Sequence, residues 1–216
     1  MKISKIKLIS TSLLTLLPMF FGLFVWNRLP EKMPIHWNMA GEIDGYTGKA
    51  TAVILMPIGL FLIHLLCLFL PKLDKKNETQ NEKVFSLTYY ITPIISIIVQ
   101  GFVFATALGY TANINAITSI ILGLMFIVIG NFMPKAKQNL TIGIKIIWTL
   151  NSEANWNATH RFAGKIWFVA GFLILATAFF PERISLLLMF IISIVAVLIP
   201  IVYSYKFYKK EKSEAE

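Results

Sequence analysis

A chain of 216 residues, 56% hydrophobic and 14% charged, with a mean hydropathy of +0.69, is no ordinary soluble domain, where about a quarter of residues carry charge. The net charge of +9 falls between apolar runs, so it reflects topology and contact with anionic lipid rather than a nucleic-acid groove, and no direct nucleic-acid partner is expected. The single cysteine, Cys67, excludes a disulfide within the chain; lying inside an apolar run, it is expected to pack.

A helix that spans a bilayer needs about 20 apolar residues. Six runs read as spans: Leu8–Trp26, Thr51–Leu70, Tyr89–Tyr110, Ala116–Phe132, Lys165–Phe180 and Ile184–Tyr205. The first follows Lys2, Lys5 and Lys7 as a signal peptide would. Its length, and its end in Val25, Trp26, Asn27 and Arg28 without a small-residue cleavage site, make it a span instead. The fifth is the shortest and has room to extend back into the loop before it. Short links at Thr111–Asn115 and Pro181–Arg183 imply helical hairpins. No internal repeat supports an inverted-repeat transporter. The expected fold is an all-α membrane protein: a six-transmembrane helix bundle, residues 1–216 forming one domain, with an ordered external loop at 27–50 and a cytoplasmic amphipathic helix within a loop at 133–164.

The first loop carries its own structural signals. Pro30 and Pro34 disfavour helix, Met33 to Asn38 suits an extended piece, and Gly41, Asp44 and Gly45 mark turns. An ordered cap in the form of a small hairpin is expected. His36, Glu42 and Asp44 read as hydrogen-bonding groups that hold this loop; a metal would need further ligands, and no metal or cofactor is expected. In the spans, His64 and Gln100 are polar groups at membrane depth, each expected to bond to a neighbouring helix. Pro18, Pro57, Pro93 and Pro200 are expected to kink their helices. The loop at Pro71–Lys83 is a charge run, read as a solvated connector.

In the fourth loop Asn151 or Ser152 can cap a helix, with Glu153 in its first turn. Trp156, His160 and Ala163 then follow at i, i+4 and i+7 on one face. This helix is expected to lie at the interface and bend into the fifth span, its Trp rings at headgroup level. Sixteen of the 20 Lys and Arg lie in the N-terminus, second loop, fourth loop and tail; the positive-inside rule puts these, and both termini, in the cytoplasm. Catalysis has little support: no nucleophile elbow, phosphate loop or metal-ligand spacing occurs, and topology keeps His36, His64 and His160 apart.

Two blocks make the chain resemble the SdpI family of bacterial toxin-immunity membrane proteins. The first runs from Leu29-Pro30 through Met33-Pro34-Ile35-His36-Trp37-Asn38 to Gly41, Asp44-Gly45-Tyr46 and Lys49, and is similar to the external module that often begins these proteins. The second takes in Gly130-Asn131, Pro134-Lys135, Asn139, Gly143-Ile144, Trp148-Thr149-Leu150, Trp156, Thr159-His160-Arg161 and Gly164-Lys165, and is similar to the family's signature segment. Where the family pattern reads GIRTPWTL, Lys145 replaces Arg, and Ile146-Ile147 replace Thr-Pro.

The resemblance implies a bacterial cell-membrane protein without catalysis. It would protect its cell from a secreted, membrane-attacking peptide toxin and, when toxin-bound, hold a soluble transcriptional repressor at the membrane. Expected partners are the extracellular toxin, the cytoplasmic repressor and membrane lipids. His36, Trp37, Asn38, Asp44, Gly45 and Lys49 would bind toxin or support the loop. Asn139, Gly143, Trp148, Thr149, Trp156, His160 and Arg161 would face a partner or lipid. Two rival readings are a transporter or channel with His64 and Gln100 lining its path, and a membrane enzyme acting on lipid or peptide through His36 and Asp44 or through His160.

Overall fold

The computed structural model describes residues 3–38, 40–111 and 113–215, with side chains at all of these but 78, 79 and 215. Lys2 of the N-terminal charge cluster and Ala112 of the expected Thr111–Asn115 link lie outside the described residues. Six helical stretches are long and apolar enough to cross a membrane: Lys5–Phe24, Thr51–Leu73, Glu82–Ala107, Ile114–Lys135, Glu153–Phe179 and Glu182–Glu214. Their order matches the six runs expected, and the chain is an all-α membrane protein carrying one two-stranded hairpin. It divides into two compact units, Met1–Leu73 with Phe85–Ile114, and Asp74–Val84 with Asn115–Glu216.

The first unit holds α1 (Lys5–Phe24), the strands β1 (Lys32–Trp37) and β2 (Ile43–Gly48), α2 (Met56–Phe69) and most of α3 (Glu82–Ala107). Ser4 caps α1, its Oγ accepting from the Lys7 N–H at 3.4 Å. The buried face of α1 is Thr11, Thr15, Pro18 and Gly22, the i, i+4, i+7, i+11 spacing of one helical stripe. Along it Ser96 of α3 donates to the Thr15 carbonyl at 2.8 Å. A Cβ on Gly22 would lie 2.8 Å from both Phe104 and Val53, so glycine sets this approach. Val25, Leu29, Met33, Ala52, Val53, Val103 and Phe104 form the core beside it. Met33 and Leu29 thereby root the hairpin in the helices.

Proline takes two roles here. Helices α1 and α3 run through Pro18 and Pro93. Pro57 stands in the first turn of α2, where a missing N–H costs nothing, after one wide π-helical turn, Thr51–Leu55. In that turn the Met56 N–H reaches back five residues to the Thr51 carbonyl. The next bond in the series would join Pro57 to Ala52, and Pro57 has no N–H to give. Gln100 of α3 donates its Nε2 to the Ala52 carbonyl at 3.4 Å in its stead.

The second unit holds α4 (Ile114–Phe132), the short α5 (Ile147–Asn151), α6 (Glu153–Ala176) and α7 (Glu182–Ala215, which runs through Pro200). Helices α4 and α6 meet backbone to backbone at two glycine pairs. A Cβ on Gly171 would be 2.6 Å from the Gly123 carbonyl, and one on Gly164 would be 2.7 Å from the Gly130 carbonyl. The pairs recur seven residues apart in both helices, in opposite order, so the helices are antiparallel. Phe126, Ala170, Ile174, Met189 and Ala196 fill the core against α7, and Trp167 donates its indole N–H to the Ala196 carbonyl at 3.0 Å.

Three expectations need correction. The amphipathic segment and the fifth span are one uninterrupted helix, α6: no proline lies between Glu153 and Ala176 to break it, and its two glycines are packed against α4. The Pro71–Lys83 segment is no loose connector: Asn77 and Gln80 are 2% and 8% exposed and tied to the later loop. Cys67 is exposed on α2 rather than packed, on the surface that an apolar helix turns to lipid.

Candidate functional site

In the hairpin the strands pair antiparallel, with Met33 opposite Thr47, His36 opposite Gly45 and Trp37 opposite Ile43, and the register slips on both sides of His36. This bulge turns the His36 side chain outward. Gly45 is required opposite it, since a Cβ there would fall 2.7 Å from the His36 Cβ. His36 Nδ1 then meets Asp44 Oδ1 at 2.5 Å, with 69% of the His and 44% of the Asp side chain exposed. A pair this open to water contributes little to stability, about 0–1 kcal/mol, and it offers polar groups to whatever approaches.

The other hairpin residues work inward. Asn38 Oδ1 accepts from the Ala40 and Glu42 N–H groups at 2.8 and 3.1 Å and fixes the turn. Lys49 is 7% exposed: its Nζ donates to Glu31 at 2.8 Å and lies 5.4 Å from the centre of the Trp26 ring. Trp37 packs on Phe102 with ring centres 4.7 Å apart. Among the residues expected here, His36 and Asp44 form the outer surface, while Trp37, Asn38, Gly45 and Lys49 hold it in shape.

His64 of α2 is wholly buried, and its Nε2 lies 3.0 Å from Thr11 Oγ1 of α1. Gln100 is bonded to the Ala52 carbonyl as described. His64 and Gln100 are therefore each tied to a neighbouring helix, as expected of such groups in hydrocarbon. Among the described residues His64 Nδ1 and Gln100 Oε1 have no hydrogen-bond partner.

The second constellation is built around the loop before α5. Asn139, wholly buried, donates to the Lys137 and Ile142 carbonyls at 2.7 and 2.8 Å and accepts from the Thr141 and Ile142 N–H groups at 2.7 and 2.6 Å. One side chain thus supplies the hydrogen bonds of a whole turn. Gly143 follows at φ +127°, a conformation side chains rarely adopt, and a Cβ there would sit 2.5 Å from His160 Nε2. The next residue, Ile144, donates its N–H to His160 Nε2 at 3.0 Å. That nitrogen is an acceptor, so the proton is on Nδ1, which bonds the Trp156 carbonyl at 2.8 Å. His160 is neutral with both nitrogens satisfied, its ring stacked on Trp156 at 4.0 Å.

Trp156 does not turn its ring to lipid. It is fully buried, with Nε1 donating to the Ala136 carbonyl at 2.8 Å. The Thr149 hydroxyl lies 2.7 Å from the Ile144 carbonyl and accepts from the Ile146 N–H at 3.1 Å. Asn139, Thr149, Trp156 and His160 therefore present no surface in this conformation; they form the frame beneath one. What they support is open to the surroundings: exposed Arg161, bonded among the described residues to its own helix alone, through the Asn157 carbonyl at 3.3 Å, and half-buried Trp148, whose ring leans on Tyr205 and Tyr208 of α7. A groove of about 470 Å³ opens beside Trp148 between α5 and α7. Ile147, where the family pattern has proline, is the first residue of α5, a position proline suits but does not need.

Sequence reasoning missed the segment that closes this loop from the other side. Gln80 acts like an added strand residue: Nε2 donates to the Lys137 carbonyl at 3.2 Å and Oε1 accepts from the Lys137 N–H at 3.0 Å. Asp74 Oδ2 accepts from the Leu140 N–H at 2.6 Å, and Asn77 donates to Thr141 at 2.8 Å. It also missed Asn155, buried in α6, which donates to the Ser204 carbonyl at 3.0 Å and accepts from the Ser204 hydroxyl at 2.6 Å. In both places a polar residue amid polar neighbours gave no sign of its distant partner. Among the described residues no group of three His, Cys, Asp or Glu is placed to hold a metal.

The comparisons follow the same two blocks. Residues 135–204 match the SdpI/YfhL protein family, and residues 13–61 match a domain of unknown function, DUF1648. The immunity protein SdpI of Bacillus subtilis (strain 168) is 31% identical over 189 residues, which covers 88% of this chain and 89% of that protein. No solved structure matches this chain significantly.

Proposed function

The chain belongs to the SdpI family, and from that premise we propose that it is an immunity protein which protects its cell from a secreted, membrane-active peptide toxin. The observation that carries the reading is the 31% identity to an immunity protein across nearly the full length of both chains. A likeness confined to apolar spans would say only that both are membrane proteins. This one takes in the hairpin and the signature loop, the two parts built with the most specific hydrogen bonding.

In this reading the Lys-rich termini and loops lie in the cytoplasm and the hairpin faces outward. Its bulge presents His36 and Asp44 beside Ile35 and Tyr46, which are 37% and 56% exposed: a mixed polar and apolar edge suited to a peptide. On the cytoplasmic side, the frame of Asn139, Gly143, Thr149, Trp156 and His160 positions Trp148 and Arg161 for a soluble repressor. Toxin binding signals inward only to the extent that the toxin favours one of two conformations.

The test is to express the chain in a toxin-sensitive strain that lacks its own immunity gene and challenge it with the toxin. Survival is expected with the intact protein and lost in the double variant His36→Ala, Asp44→Ala. Killing at the same toxin dose as empty-vector cells, with the protein present in the membrane, rejects the immunity reading for that toxin. The repressor arm is read separately, as toxin-dependent movement of a fluorescent repressor to the membrane.

A further inference from the structure

The seam between α6 and α7 bears a furrow that shares only Arg161 with the groups above. At its polar end a groove of about 600 Å³ is lined by Arg161 and Lys165, with Phe162, Tyr203 and Phe207 as its aromatic wall. Phe162 and Tyr203 stack with ring centres 4.4 Å apart, which stiffens that wall. Directly below lies a second groove of about 420 Å³, almost wholly apolar, lined by Val169, Leu173, Ile192 and Val195 and floored by the small side chains of Ala170 and Ala196. Lys165 lines both. On α6 the lining positions 158, 161, 162, 165, 166, 169, 170 and 173 follow the i, i+3, i+4 rule of one helical face, so the two grooves form one continuous channel open to the side.

We propose that this furrow binds one anionic phospholipid, its phosphate held by Arg161 and Lys165 and one acyl chain laid along the apolar groove below. Charge and dimensions select this occupant. Among the described residues neither Arg161 nor Lys165 is in an ion pair, and two unpaired cations one helical turn apart match a phosphate. Twelve residues from Arg161 to Leu173 rise about 18 Å, close to one leaflet, since the hydrocarbon core is about 30 Å thick. Counted back from Phe179, about 20 residues of helix fill that core. Arg161 then stands at its edge and Lys165 a turn inside, able to extend its amine to the headgroup level. A basic pocket between spans at this level is the setting in which anionic headgroups are held. A soluble partner protein can meet Arg161 at the edge but cannot enter the apolar half, which lies within the hydrocarbon core, and a free phosphate would leave that half empty.

Native mass spectrometry of the full chain in detergent, offered equal phosphatidylglycerol and phosphatidylcholine, reads the site directly. One phosphatidylglycerol per chain is expected to survive activation. With each cation near the surface contributing about 1 kcal/mol, the double variant Arg161→Gln, Lys165→Gln should retain it about 30-fold less well. Arg161→Lys should keep it. Val169→Trp with Leu173→Trp, both at lipid-exposed positions, should block the chain groove and lower retention without touching the charges, so the site is tested even if the charge variant does not fold. Equal retention of the two lipids, or retention unaffected by both variants, overturns the proposal. So does glycerol phosphate binding as tightly as the lipid, which would make the site a plain phosphate site.

Discussion

At the scale of single residues, the burial of a group and the number of its bonds decide what its loss does. Gly143 has both a side-chain-averse backbone and His160 Nε2 only 2.5 Å from any added Cβ. Gly143→Ala should cost about 2–4 kcal/mol, read as a lower melting temperature in detergent. His160→Ala strands the Ile144 N–H and empties the stack on Trp156; a loss of about 1–3 kcal/mol is expected from the unmade bond alone. Asp44→Asn, on the open hairpin pair, should change stability by less than about 1 kcal/mol in the same assay. The spacing of Trp156, His160 and Ala163 placed them on one face without difficulty. Which way that face turned was not legible, because tryptophan and histidine are equally at home at a wet interface and in a hydrogen-bonded interior. Only the Ala136 carbonyl and the Ile144 N–H, brought in by the fold, decide between them.

Among the elements, the antiparallel contact of α4 with α6 is the most sharply conditioned. Gly171→Leu must push a side chain into the Gly123 carbonyl and part the two backbones, whereas Gly59 and Gly101 have nothing within 4 Å of an added Cβ. Melting curves should show Gly171→Leu destabilised by about 2–4 kcal/mol and Gly59→Leu nearly unchanged; equal effects would mean that the close approach does not hold the helices. The segment 74–84 makes a second such test. Gln80→Ala removes both bonds to Lys137 and should expose the 137–142 turn to faster amide hydrogen exchange, with Lys75→Ala as the silent comparison. Helices α1 to α4 and α7 were legible because an apolar run about 20 residues long has few other uses. The start of α6 was legible too, in Ser152 and Glu153; its unbroken course was not, because its first three turns carry Asn, Thr, His and Arg, which read as an interfacial segment until their partners on α7 and in the preceding loop are seen.

Taken whole, the molecule pairs a plain scaffold with two exacting polar assemblies, one in each unit. The hairpin's form was visible in its prolines and turn residues; its anchorage through Met33, fully buried, was not, since a methionine beside prolines has no periodicity to betray it. Met33→Asp should free the hairpin from the core of Val25, Val53 and Phe104. Limited proteolysis is then expected to cut between residues 30 and 50 while the spans survive, and toxin protection should fall with it. If the hairpin stays resistant and protection is intact, the anchor is elsewhere.

The unbroken course of α6 has a mechanical corollary. Its 24 residues make a rod about 36 Å long with no proline at which to fold, so it transmits as a lever rather than flexing as a spring. Each degree through which the buried Trp156–His160 end is swung carries the Ala176 end about 0.6 Å, so a tilt of a few degrees moves a side chain at one membrane face by about 2 Å when the other face is disturbed.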